Sequence, residues 1–212
     1  FRRVLFRSAG LVAWVLPASM QPAFAVALPE AITCPLTETP EGLLASQEEL
    51  VSFCNQFNPS LLVFGPGMGT SPLLIRLIEQ LQIPAVVDAD GLNALARLNL
   101  SWPANRPAVF TPHPGEMARL LAIGVAGNEQ ERAEQVRMLA DKTGAVAVLK
   151  GYRSLVACGE ELFENPTGGP ALAKAGSGDV LSGIIAGLWA QLGGTNGYNS
   201  QQLEELLKML GM

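Results

Sequence analysis

The sequence is poor in the residues that build metal and disulfide sites: one histidine, three cysteines, and aromatic side chains at only 6% of 212 residues. With His113 alone, no multi-histidine metal cluster can form, and any Ser-His-Asp triad would have to use that one residue. Cys34, Cys54 and Cys158 include no Cys-x-x-Cys pair. They read as reduced core thiols of a cytoplasmic protein, not as a disulfide frame or a metal site. Positive charge is scarce too: 14 Lys and Arg stand against 19 Asp and Glu, for a net charge of −5. That argues against a nucleic-acid partner, which usually meets a basic surface. It leaves room for an anionic small ligand, because local backbone dipoles act independently of net charge. No repeat, low-complexity stretch or interdomain linker is evident, and no membrane span is expected. Ala9–Leu28 is uncharged, and Arg2, Arg3 and Ala23-Phe24-Ala25 imitate a signal peptide. Pro17, Ser19, Gln21 and Pro22 interrupt the run, so a strand over Leu11–Leu16, a Pro-Ala-Ser turn and a short helix is preferred. Residues 1–8 read as a non-native leader, and residues 9–212 as one domain.

What the chain does contain is a hydrophobic fraction of 49%, enough for a sizeable core, distributed in alternating short β-rich and longer helical runs. Strands are expected at Gly10–Leu16, Leu61–Phe64, Ala85–Asp88, Ala108–Phe110, Val146–Leu149 and Leu155–Ala157. Several are apolar throughout, as strands covered on both faces are. Helices are expected at Ser46–Gln56, Pro72–Gln80, Gly91–Ala96, Gly115–Leu121, Glu129–Lys142 and Gly178–Gln191, with a closing helix over Gln201–Met209. The alternation predicts a mostly parallel α/β sheet with helices on both faces. In such sheets ligands bind beyond the carboxyl ends of the strands, where nearly every unusual residue of this chain falls.

The strongest local signal is Ala175-Gly176-Ser177-Gly178-Asp179, which runs into the apolar Ile184–Trp189 segment. The N–H groups of Gly176, Ser177 and Gly178 would open a buried helix and form an anion hole. A carboxylate placed where a phosphate should bind makes sense as a proton acceptor, which assigns Asp179 as a base. The alternative is a plain capping loop built on Ser177 or Asp179. Gly65-Pro66-Gly67-Met68-Gly69 lets backbone approach a ligand, or simply makes a tight strand–helix turn. Asp88-Ala89-Asp90 could meet Mg²⁺ or a ribose, with helix capping by Asp90 as the competing reading. In Thr111-Pro112-His113-Pro114-Gly115-Glu116 two prolines present the histidine on a rigid strand-end loop, and Pro114 opens a helix with Glu116 in its first turn. Lys150 closes a buried strand and offers a point charge to a nucleotide phosphate; Arg153 nearby could be an ordinary solvated charge. Asn165-Pro166-Thr167-Gly168 reads as a flap.

Taken in chain order, each at a strand end, these six motifs resemble the ADP/ATP-dependent NAD(P)H-hydrate dehydratases, a branch of the ribokinase-like superfamily, over about Ala9–Gln191. The resemblance implies a three-layer α/β/α ribokinase-like fold. It implies an ADP-dependent hydro-lyase that restores NADH or NADPH from its hydrate while ADP becomes AMP and phosphate; eukaryotic members use ATP. It places Gly67 or Gly69, His113 and Asp179 on the hydrate. The nucleotide falls to Lys150, Gly151, Tyr152, Arg153, Ser154 and Gly178, and Mg²⁺ to Glu116 through water. A homo-oligomer and an NAD(P)H-hydrate epimerase are the expected partners. The family carries a further N-terminal segment, so the chain is expected to be truncated; Gly169 stands where an Asn is common, and a final His-Gly-like helix is missing. The competing functions are a small-alcohol kinase of the thiazole or pyridoxal type, and a nucleotide-binding fragment without activity.

Overall fold

Four all-apolar runs form the centre of the molecule: Leu62–Phe64 (β3), Ala85–Val87 (β4), Ala108–Phe110 (β5) and Val146–Leu149 (β6). In the computed structural model, which describes residues 10–69, 77, 79–99, 101–103, 105–167, 169–170 and 173–192, they pair side by side and parallel. Leu155–Cys158 (β7) and Glu161–Glu164 (β8) complete the sheet antiparallel, giving the order β3-β4-β5-β6-β7-β8. Parallel neighbours need a crossover, whereas β6, β7 and β8 are joined by short turns, so the sheet changes sense where the connections become too short for one.

The period-two alternation of the strands divides the core into two layers. Val86, Val109, Val146, Val148 and Val156 face Ile185, Ala186 and Trp189 of the helix Ser177–Leu192. Their neighbours Ala85, Val87, Ala108, Phe110, Ala147 and Leu149 face the opposite layer. That layer contains the helices Ala89–Arg97, Pro114–Leu121 and Glu129–Thr143. Before the sheet come Ala13–Pro17 (β1), a 3-10 turn at Ala18–Met20, and the helix Gln21–Ala27 (α1). Ile32–Leu36 (β2) then pairs parallel with β1 as a separate two-stranded sheet, and Gln47–Phe57 (α2) follows. The remaining helices are α3 (Ala89–Arg97), α4 (Pro114–Leu121), α5 (Glu129–Thr143) and α6 (Ser177–Leu192). With helices on both faces of a mostly parallel sheet, the expected three-layer architecture is the one observed.

The element boundaries follow local chemistry. Ser46 is the N-cap of α2, its side chain accepting from the Glu49 N–H, so the helix begins one residue later than expected. Asn128 caps α5 in the same way, and Gly144 ends it at φ +65°. Asp88, not Asp90, caps α3, which starts at Ala89 instead of Gly91. Two strands were not anticipated. β2 contains Pro35, which argues against a strand, but an edge position tolerates it. β8 is charged at both ends and forms the outer edge of the sheet. The expected helix over Pro72–Gln80 lies largely outside the described residues, and the leader 1–8 and closing helix 201–209 lie wholly outside them. Among the described residues no helix is long and apolar enough to cross a membrane.

Candidate functional site

The carboxyl ends of β4, β5 and β6 bring Asp88, the His113 loop and Lys150 together. Asp88 is 1% exposed. Its Oδ1 accepts from Lys150 Nζ at 2.6 Å and from the Ala89 N–H at 2.8 Å, and its Oδ2 accepts from Ser182 Oγ at 2.8 Å. A buried carboxylate is stable only when so many donors surround it. Lys150 Nζ also lies 3.9 Å from Glu116 Oε2. The Lys150 N–H donates to Pro112 O at 2.8 Å, fixing the strand end to the histidine loop.

His113 is both presented and used. It is the N-cap of α4, its Nδ1 accepting from the N–H groups of Gly115 (3.0 Å) and Glu116 (3.4 Å). Glu116 completes a capping box by accepting from the His113 N–H at 2.8 Å. An Nδ1 that accepts must carry no proton, so in neutral His113 the proton sits on Nε2, which lies 3.5 Å from Glu116 Oε1. The ring remains half exposed. The sequence pattern anticipated the exposure but not the capping.

The start of α6 reaches this cluster through Gly178. A Cβ on Gly178 would lie 3.4 Å from Lys150 Nζ and 3.7 Å from Asp88 Oδ2. The preceding turn folds through Gly176 at φ +82°. Ser177 is occupied there: its N–H and hydroxyl both go to Lys174 O, at 3.2 and 2.7 Å. That corrects two readings, Ser177 as an anion-hole donor and Ser177 as a helix cap. Val180 N–H donates to Gly176 O at 3.1 Å. The N–H groups of Gly178 and Asp179 are therefore the first-turn donors, with no acceptor among the described residues. The Asp179 carboxylate is exposed and has no hydrogen bond or ion pair among the described residues.

The remaining predicted residues are less uniform. Gly67 (φ +68°) has open space around its Cα, whereas the Gly69 N–H already donates to Asp90 Oδ2 at 2.8 Å. Asp90 therefore ties the glycine loop to α3. Beyond Lys150, Gly151 and Ser154 close a turn through Ser154 Oγ and Gly151 O (3.0 Å), and Tyr152 is 76% exposed. Arg153 pairs with Glu164 and is no free loop charge. In the expected flap Thr167 folds onto Asn165 Oδ1, while Gly168 lies outside the described residues.

Among the described residues no group of three or more His, Cys, Asp or Glu could cage a metal. Glu116 Oε2 accepts from the His113 N–H and Oε1 lies 3.5 Å from His113 Nε2; a carboxylate keeps acceptor sites beyond such contacts, so its chemistry is compatible with a hydrated cation. From the sequence, Asp88 reads as a Mg²⁺ or ribose contact and Ser182 has no role; the structure instead pairs the Asp88 carboxylate with Lys150 and Ser182. The one available signal was Asp88 at the end of an apolar strand; its partners lie 62 and 94 residues away.

A family model described as NAD(P)H-hydrate dehydratase matches residues 7–201. A bifunctional NAD(P)H-hydrate repair enzyme from Moorella thermoacetica is 43% identical over 190 residues, covering 86% of this chain and 36% of that protein. The chain thus spans about a third of the length of the curated relatives it matches. Among solved structures, a ribokinase-like superfamily protein from Enterococcus faecalis is 27% identical with a TM-score of 0.72, covering 90% of this chain and 65% of that one. An ADP/ATP-dependent NAD(P)H-hydrate dehydratase from Bacillus subtilis, co-crystallised with ATP and Mg²⁺, is 25% identical with a TM-score of 0.70, covering 94% and 67%.

Proposed function

We propose, from the premise that the chain belongs to the NAD(P)H-hydrate dehydratase family, that it is the catalytic domain of an ADP-dependent hydro-lyase that returns hydrated NADH or NADPH to the intact dinucleotide. The observation that carries the reading is the meeting of three elements at one end of the sheet: the open N–H groups of α6, the Lys150 ammonium and the His113 loop. Donors to phosphate and an unpaired carboxylate stand on the same turn, as a phosphoryl transfer to an alcohol requires.

Hydroxide is a poor leaving group and phosphate a good one. Asp179 takes the proton of the hydrate hydroxyl as its oxygen attacks the terminal phosphorus of ADP. The new O–P bond forms as the bond to the bridging oxygen breaks, and AMP leaves. The Gly178 and Asp179 N–H groups hold the charge that develops on the phosphoryl oxygens, and Lys150 meets the nucleotide phosphates. The ring-nitrogen lone pair then expels phosphate, and loss of a ring proton restores the double bond. Mg²⁺, held by Glu116 through water, would neutralise the phosphates.

Gly67, Gly69 and His113 would line the hydrate side, and Gly151, Tyr152, Arg153 and Ser154 the nucleotide side. We read residues 9–212 as one such domain, cytoplasmic and homo-oligomeric, working beside an NAD(P)H-hydrate epimerase; that the relatives are named bifunctional repair enzymes supports a second activity. Incubation of the purified protein with NADH hydrate, Mg²⁺ and either ADP or ATP tests the proposal. Recovery of NADH absorbance with stoichiometric AMP and phosphate is expected with ADP. Accumulation of a phosphorylated alcohol without NADH would instead mark a small-alcohol kinase, and binding without turnover an inactive nucleotide-binding fragment.

A further inference from the structure

We infer that Asp88 is a positioning residue that holds Lys150 and the first turns of α6 in fixed relation to each other; its catalytic consequence rests on the dehydratase reading above. A lysine ammonium on a four-carbon stem samples many rotamers unless something fixes it. Here the buried Asp88 carboxylate holds it at 2.6 Å, so that it reaches past to within 3.9 Å of Glu116. The second carboxylate oxygen takes the hydroxyl of Ser182, which is fully buried. Ser182 lies four residues after Gly178 and so shares its helix face. Bonding it to Asp88 sets the rotation of the turn that presents the Gly178 and Asp179 N–H groups.

The backbone around Asp88 is fixed as tightly as its side chain. A Cβ on Gly65 (φ +119°) would lie 1.8 Å from Asp88 O, so the glycine loop packs directly on this peptide. The same oxygen accepts from the Gly91 N–H at 3.0 Å. Ala89 adopts φ +45°, a left-handed conformation that costs an L-residue energy and persists where surroundings enforce it. A carboxylate needed only as a helix cap would not require a glycine contact, a strained neighbour and two partners on distant elements.

The test uses the full chain with Asp88→Asn and Ser182→Ala, alone and with Lys150→Gln. Lys150 acetylation by acetic anhydride, read by peptide mass spectrometry, and amide hydrogen exchange over residues 177–185 report position without requiring activity. Asp88→Asn is expected to speed both several-fold and to lower kcat by about 100-fold, the loss that follows a misplacement of about an ångström. Ser182→Ala, the milder change should Asp88→Asn fold poorly, is expected to speed the exchange and lower kcat by about 10-fold, with a fall in Tm of a few degrees because Asp88 Oδ2 loses its donor. In the Lys150→Gln background the Asp88→Asn loss should largely disappear. Unchanged acetylation and exchange in both single variants, additive losses in the double variant, or a lowered Tm with unaltered kcat would each overturn the inference. If the wild type fails to restore NADH, the dehydratase reading falls while labelling and exchange still decide the role of Asp88.

Discussion

At the end of β4 a carboxylate is buried, given three donors and enclosed by backbone that admits no side chain at Gly65; at the start of α6 another is exposed, without a partner, on a turn of small residues. The two aspartates flank the same contact, since Gly178 adjoins Asp179 in sequence and packs toward Asp88 in space. The difference separates two tasks that one residue type can perform. A carboxylate saturated with donors holds geometry. One left open to solvent beside free N–H groups leaves its oxygens accessible to a substrate hydroxyl.

Removing the open carboxylate tests the comparison most severely. Asp179→Asn keeps the shape of the turn and its N–H groups, so nucleotide should bind almost as before. NADH recovery should fall by about 1,000-fold, within the range assigned to a general base. The check is steady-state kinetics beside calorimetric titration with Mg-ADP. Turnover equal to wild type would remove Asp179 from the chemistry and erase the contrast.

Glycine-to-alanine substitution in the two regions sharpens it. Gly65→Ala forces a Cβ into the Asp88 carbonyl at 1.8 Å from a left-handed backbone position. The expected cost is about 3 kcal/mol or more, the scale of overpacking added to backbone strain. Denaturant unfolding would register it as a lowered midpoint with unchanged slope. Gly178→Ala meets its nearest atom at 3.4 Å, without a left-handed backbone, and places a better helix former in the first turn. Its stability should hold within about 0.5 kcal/mol, while KM for ADP rises a few-fold because the methyl group stands between the N–H donors and Lys150. Equal destabilisation by both substitutions would show that the start of α6 is as rigidly packed as the end of β4.

The same contrast accounts for what could be read in the sequence. β4, β5 and β6 were legible to within a residue because strands covered on both faces are apolar throughout. The loops after them were legible because proline, glycine and charge cannot continue a buried strand. β8 was not, since an edge strand covered on one side can begin and end on glutamate. The role of Asp88 was hidden for a different reason. Locally it is an aspartate before a helix, the commonest of caps, and only folding brings Lys150 and Ser182 to it. Conversely, Ser177 looked like a donor to anions because the sequence does not reveal that the turn closes on Lys174 O.

The smallest expected effect is at Ala89, whose φ of +45° sits beside the carboxylate. An L-residue in that region carries about 1–2 kcal/mol of steric cost, which glycine lacks. Glycine in turn loses more chain entropy on folding, about 0.5–1 kcal/mol. The balance makes Ala89→Gly stabilising by about 0–1.5 kcal/mol, a rise in Tm of about 2 °C at the middle of that range for a chain of this size. Thermal unfolding would measure it. If the strained alanine also helps to aim the carboxylate, the same variant should lose a few-fold in kcat while gaining stability, since the added freedom lies next to the group that holds Lys150. A loss of stability would mean that the surroundings do not enforce the left-handed turn, and that the end of β4 is less tightly determined than its hydrogen bonds indicate.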